Sequence, residues 1–380
     1  HTIITGVSQS GNFVRTFIHL GFNADENGAI VFDGAHPQIA ARLVPMNFRF
    51  ALPGGAATLY EPGSEGVLWW GPHDDRARGR GVTSLLARCT ASNTCPKVIE
   101  SFGATEFWGL RMSPDLVGID ARADIPLPAN VRRYYFPGVT HGGGQGGFAT
   151  DTAALPKAQG CTLPGNPNPT QPQVRALNAA LVAWVSNGTE PPASRYPTLA
   201  AGELVSPDVV AAALRGLPGI PDASHMLNEF LVYDFGSALR ADDLSGALSR
   251  LPPRIVRTAP SVVVKVDADG NEVAGAPSVQ HLVPLGTYLG WNETASGYYA
   301  GTGCGFQGGF VPFARTRAER EAKGDRRLSL EERYGSHAGF VARVREAADG
   351  LVAQRMLLRA DADAIIVQAE ASPVLRDRGP

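Results

Sequence analysis

The run Thr5-Gly6-Val7-Ser8-Gln9-Ser10-Gly11 decides how the rest of the chain is read. It follows the apolar stretch Thr2-Ile3-Ile4 and precedes Phe13, Phe17, Ile18 and Leu20, which recur every three or four positions. That order predicts strand, tight turn, helix. A serine at such a turn, with small residues two before and two after it, matches a nucleophile elbow, where crowding of the backbone excludes side chains at the flanking positions. Ser8 has Gly6 behind it and Ser10 ahead. Ser10 fits the apex less well, because its own flanks are Ser8 and Asn12. A plain helix start, capped by Ser8 or Ser10, is the alternative that the local sequence leaves open.

The 380 residues, 44% of them hydrophobic, suffice for one large core or two ordinary domains. Net charge is −2, from 34 basic and 36 acidic residues spread along the chain, so no electrostatic footprint for nucleic acid or an anionic membrane is visible. No apolar run approaches the ~18 residues of a membrane span. Abundant glycine (44) and proline (29) predict many loops. The four cysteines, 89, 95, 161 and 304, fit no metal pattern. Pairing as Cys89 with Cys95 and Cys161 with Cys304 is expected, which favours a periplasmic or secreted protein; four reduced thiols in the cytoplasm are the alternative. The chain starts without Met or signal peptide, inside an expected core strand, so the C-terminal portion of a longer protein is expected, with the missing N-terminal portion as a partner.

Ile30-Val31-Phe32 reads as the second strand, ending at Asp33-Gly34. From about 36 to 95 periodicity is poor and aromatics accumulate (Phe48, Phe50, Tyr60, Trp69, Trp70), which suggests a lid insertion. Trp69 and Trp70 are candidate substrate-binding residues, with buried packing as the commoner use of such a pair. His73-Asp74-Asp75 reads as a solvated turn and not as a metal site. Lys97-Val98-Ile99 and Val131 to Phe136 read as further strands, and Pro172 to Asn187 as a helix with Gly188 beyond its end. Residues 1–197 would form the core and 198–380 a loop-rich C-terminal extension, with a hairpin about Asp267-Ala268-Asp269-Gly270-Asn271 and helices from Phe340 to Leu351 and from about Asp361 to Ala371.

A serine hydroxyl becomes a useful nucleophile when an imidazole takes its proton, and the imidazole needs a carboxylate to fix its tautomer. In α/β-hydrolases the three arrive in the chain order Ser, acid, His, each after a core strand. Ser8, Glu106 and His141 follow that order, with 35 residues from acid to base. Among the other histidines (1, 19, 36, 73, 225, 281, 337) only His36 follows a strand, and it would break the order. Asp115, then Asp120 and Asp124, are the alternative acids, with Glu100 too deep in its strand. The Gln9 backbone N–H, at a helix N-terminus, supplies one oxyanion donor, and the second normally comes from a loop upstream of this chain's first residue.

Gly6-Val7-Ser8-Gln9-Ser10-Gly11 with Gly21-Phe22-Asn23-Ala24-Asp25-Glu26, Phe32-Asp33-Gly34, Thr105-Glu106-Phe107-Trp108, Thr140-His141-Gly142, Val266-Asp267-Ala268-Asp269-Gly270-Asn271-Glu272 and Pro284-Leu285-Gly286-Thr287-Tyr288 resembles the bacterial "alpha/beta hydrolase domain" proteins, a group of large, often exported esterase-like proteins. The resemblance covers nearly the whole chain. It implies an α/β-hydrolase fold with Ser8 as nucleophile, Glu106 as acid and His141 as base. The expected activity is hydrolysis of a small-molecule carboxylic ester through an acyl-enzyme, without a cofactor. An amidase or peptidase using the same triad, or a non-catalytic binding module on a hydrolase scaffold, are the alternatives.

Overall fold

A computed structural model of the chain describes residues 1–44, 62–155, 158–250 and 252–376. Strand β1 (Ile3–Val7) runs into helix α1 (Gln9–His19) with Ser8 as the single residue between them. β2 (Gly34–Gln38), β3 (Lys97–Gly103) and β4 (Val131–Phe136) complete a four-stranded sheet in the order β1-β2-β3-β4, every neighbouring pair parallel. The short helix α2 (Ala104–Trp108) follows β3 directly, and α3 (Gln171–Asn187) ends on Gly188 in the left-handed conformation.

A parallel sheet needs cover on both faces, and β3 shows how it is obtained. Val98 packs in a cluster with Val14 and Ile18 of α1. The next residue, Ile99, packs with Val174, Leu177 and Leu181 of α3. Glu100 returns to the α1 side to meet Arg15. Ser101 turns back to meet His36 at 2.9 Å, whose other ring nitrogen lies 2.7 Å from Asn178 of α3. Two long C-terminal helices, α4 (His337–Ala353) and α5 (Arg359–Ala371), place Phe340, Val344, Ile365 and Ile366 in the same cluster as α3.

The second strand lies four residues later than Ile30-Val31-Phe32. That apolar run sits at the surface instead: Ile30 is 43% exposed and makes a single bridge to Ala24, and Phe32 packs edge-on against Phe17 at 5.6 Å. Gly34-Ala35-His36-Pro37-Gln38 takes the central position, paired with β1 on one side and β3 on the other, and its first residue has room for no side chain. A Cβ on Gly34 would stand 2.8 Å from Val185, and burial pushes the His36 imidazole down to about 4, so it enters the core uncharged.

Of the stretch 36–95, residues 45–61 with Phe48, Phe50 and Tyr60 lie outside the described residues. Val67, Leu68, Trp69, Trp70, Leu85 and Leu86 are buried against α1 and the sheet. His73-Asp74-Asp75 is not a solvated turn. Asp75 is buried in an ion pair with Arg78 at 2.7 Å, and His73 packs edge-on against Trp69. The expected hairpin shrinks to one bridge, Val266 to Glu272, while Val263–Val264 pairs with Leu204–Val205. Its acidic turn serves itself, with the Asp267 carboxylate accepting from the N–H groups of Asp269 and Asn271. Both expected disulfides are present, Cys89–Cys95 and Cys161–Cys304. No helix of the described residues is long and apolar enough to cross a membrane.

Candidate active site

The backbone at Ser8 has φ 56° and ψ −118°, a left-handed conformation that costs a residue with a side chain about 1–2 kcal/mol. The surroundings enforce it. The Ser8 N–H donates to the Gln38 carbonyl at the end of β2 at 2.9 Å, so the chain must turn sharply before α1 can start. The turn closes so tightly that a Cβ on Gly6 would lie 2.2 Å from the Ser10 carbonyl oxygen, and one on Gly11 would lie 2.7 Å from that of Gln38. Ser10 itself is exposed, so the second crowded position is Gly11 and not the residue two after the apex.

His141 and Glu106 come from the ends of the next strands. β4 gives way to Pro137 and Gly138 (φ 59°), which reverse the chain, and His141 follows in glycine-rich backbone. Its Nε2 lies 2.8 Å from Ser8 Oγ, and its Nδ1 lies 2.5 Å from Glu106 Oε1. The second oxygen of the fully buried Glu106 accepts from the Gly103 N–H at the start of α2. Gly103 is obligatory for a different reason from Gly138: a Cβ there would lie 2.1 Å from Val139. A carboxylate that already accepts one N–H and faces Nδ1 fixes the imidazole with its proton on Nδ1, which leaves Nε2 free to accept from the Ser8 hydroxyl. Ser8 immediately precedes α1, and the N–H of Gln9, at the first helical position, has no intrahelical acceptor. That N–H is a donor for negative charge developing beside Ser8.

The alternative acids are elsewhere engaged. Asp115 is buried against Arg15 at 2.6 Å, Asp124 accepts from the N–H groups of Leu199 and Ala200, and Asp120 pairs with Arg122 at 3.6 Å. Glu100 stands in mid-strand between Arg15 and Arg133, 2.6 Å from each. Trp69 and Trp70 are not brought to Ser8, His141 and Glu106. Both rings are shut away from solvent, with the Trp69 indole N–H on the Thr83 carbonyl at 2.9 Å and that of Trp70 on Glu100 at 2.8 Å. They are core residues, so buried packing holds in place of the expected substrate-binding role.

The two asparagines that hold the histidine loop have no counterpart in the sequence reading. Asn166 donates to the carbonyls of Gly138 and Leu289 at 2.9 and 3.0 Å, and Asn168 donates to those of Pro137 and Gly138, each at 3.0 Å. The alternating Asn and Pro of Gly165-Asn166-Pro167-Asn168-Pro169 is the one signal that marks this segment as a rigid brace. From the C-terminal half, Glu272 accepts from the Tyr135 hydroxyl and, at 2.7 Å, from the Gly138 N–H.

Burial pushes the Glu272 carboxyl up to about 7. Between its unfolded value, near 4.5, and 7 the folded protein therefore keeps a proton that the unfolded chain has released. Stability falls as pH rises through that window, by on the order of 3 kcal/mol. Glu272→Gln, which can still accept the Gly138 N–H, is expected to flatten this slope and to be the more stable form at pH 8. Urea midpoints at pH 5 and pH 8 check it; an unchanged slope would refute the assignment.

A sequence model of one family, described as alpha/beta hydrolase domain, matches residues 1–367. The chain belongs to that family. No curated protein and no solved structure matches it. In this alpha/beta hydrolase domain chain the matched region includes the parallel sheet, the Ser8 turn, Glu106 and His141, and it extends through α4 and into α5.

Proposed function

We propose that the protein is a serine hydrolase that cleaves a small-molecule carboxylic ester through an acyl-enzyme. The observation that supports this best is the continuous hydrogen-bonded chain from Ser8 Oγ through His141 to the buried carboxylate of Glu106, at 2.8 and 2.5 Å. Ser8, read as the apex of a nucleophile elbow, attacks the ester carbonyl while His141 Nε2 takes its proton. Glu106 stabilises the imidazolium and holds its orientation. The Gln9 N–H receives the oxyanion; one such donor is worth about 10²–10³ in rate. His141 then gives the proton to the leaving alkoxide, and water repeats the sequence to release the acid. The two disulfides support a periplasmic or secreted location.

The test is labelling with a fluorophosphonate probe, mapping of the modified residue, and turnover of p-nitrophenyl acetate. Modification is expected at Ser8, with labelling and kcat/KM reduced about 10³–10⁴-fold by His141→Ala. Labelling at another serine, or turnover indifferent to His141→Ala, would overturn the reading.

A further inference from the structure

One side of the His141 ring is covered by an aromatic side chain that the proton transfers do not use. Phe306 lies 5.1 Å from it between centroids, with the rings inclined at 44°. It keeps 46% of its surface open to solvent, so a large apolar group stands unburied beside the imidazole. The segment is held firmly. The Phe306 carbonyl accepts from the Thr140 hydroxyl at 2.9 Å and from the N–H of His141 itself at 3.4 Å. The Gly308 N–H donates back to the same hydroxyl at 2.9 Å. Two residues before Phe306, Cys304 is bonded to Cys161 across 143 positions of sequence, and its N–H donates to the Asn292 carbonyl at 2.8 Å.

We propose that Phe306 is a specificity-determining residue, the apolar wall that receives the alcohol part of the ester, and that the Cys161–Cys304 disulfide holds this wall in place. The inference rests on the serine hydrolase reading above. The imidazole that returns the proton must stand beside the leaving oxygen, so the group attached to that oxygen lies on the His141 side of Ser8, where the exposed ring is. An aromatic or alkyl group there covers apolar surface of Phe306, whereas a methyl group is too short to gain much. Without the disulfide the backbone bonds to Thr140 remain, but the covalent stop against the 161 segment is lost and the ring samples more positions.

The test compares methyl, butyl and phenyl acetate on the full chain. For Phe306→Ala the rise in KM is expected to grow with the alcohol, reaching about tenfold for phenyl acetate. Phe306→Leu should recover butyl acetate more than phenyl acetate, and it serves as the second variant should alanine impair folding. A Cys161→Ser, Cys304→Ser double variant should shift KM in the same order. A uniform fall in kcat over the three esters would mean that Phe306 merely braces the imidazole and would overturn the proposal, as would an unchanged KM series; an unchanged series in the cysteine variant alone overturns the role of the disulfide. Absence of fluorophosphonate labelling in the unaltered chain removes the hydrolase reading and this inference together, whereas labelling at Ser8 with no dependence on Phe306 removes the inference only.

Discussion

Ser8→Gly is expected to yield a protein that is more stable and catalytically dead. Serine at φ 56° holds a conformation that glycine adopts without cost. Relief of that strain, about 1–2 kcal/mol, is partly offset by the greater freedom of glycine in the unfolded chain, about 0.5–1 kcal/mol, so the net gain is near 1 kcal/mol. In a chain of this length that corresponds to a rise in Tm of about 1–2 °C. Turnover should fall by at least about 10⁴-fold, because nothing else at the apex can form the covalent bond to the acyl group. Ser8→Ala loses the same turnover but keeps the strained backbone, so it isolates the strain from the chemistry. Calorimetry and p-nitrophenyl acetate assays on the two variants decide the matter: a Ser8→Gly protein less stable than Ser8→Ala, or one that still turns over, would contradict it.

Glu100→Leu is expected to be the most damaging substitution away from Ser8, Glu106 and His141. Glu100 accepts from Arg15 at 2.6 Å, Arg133 at 2.6 Å and the Trp70 indole at 2.8 Å, all in the interior. Arg15 also meets Asp115 at 2.6 Å and donates to the Ala40 carbonyl at 3.1 Å. Burial is the larger influence on Asp115 and pushes its carboxyl up against the pull of Arg15. Removing one partner of a buried ionic group leaves uncompensated charge, a loss of about 3–5 kcal/mol. The cluster has a functional position too. Arg15 belongs to the helix that begins at Ser8, Glu100 to the strand that leads to Glu106, and Arg133 to the strand that leads to His141. Urea unfolding should show a lowered midpoint, and protein that remains folded at low temperature should have a reduced kcat; a midpoint within ordinary surface-mutation range would show that the cluster is not needed.

These expectations separate two kinds of information. The sequence by itself determined the strand, turn and helix at 3–19, the two strands that precede Glu106 and His141 and the helix ending at Asn187, whereas the expected cysteine pairing, with reduced thiols as its alternative, was decided by the fold. Each of these elements rests on local signals: apolar periodicity, and glycine where the backbone reverses. The tertiary structure alone decided what depends on partners remote in sequence. Gly34-Ala35-His36-Pro37-Gln38 has almost no strand propensity, and it becomes a central strand because β1 and β3 supply its hydrogen bonds and α3 packs so closely on Gly34 that no side chain fits there. Ile30-Val31-Phe32 has the propensity and is left outside. Trp69 and Trp70 read as a candidate pocket wall with buried packing as the commoner use, and burial against α1 and Glu100 makes them core. No local signal places Asn166, Asn168, Glu272 and Phe306 beside the histidine; they matter because folding carries them 28, 30, 134 and 165 residues back along the chain to Gly138 and His141. Periodicity records which side of an element is apolar, and it holds no record of which distant residue will arrive to face it.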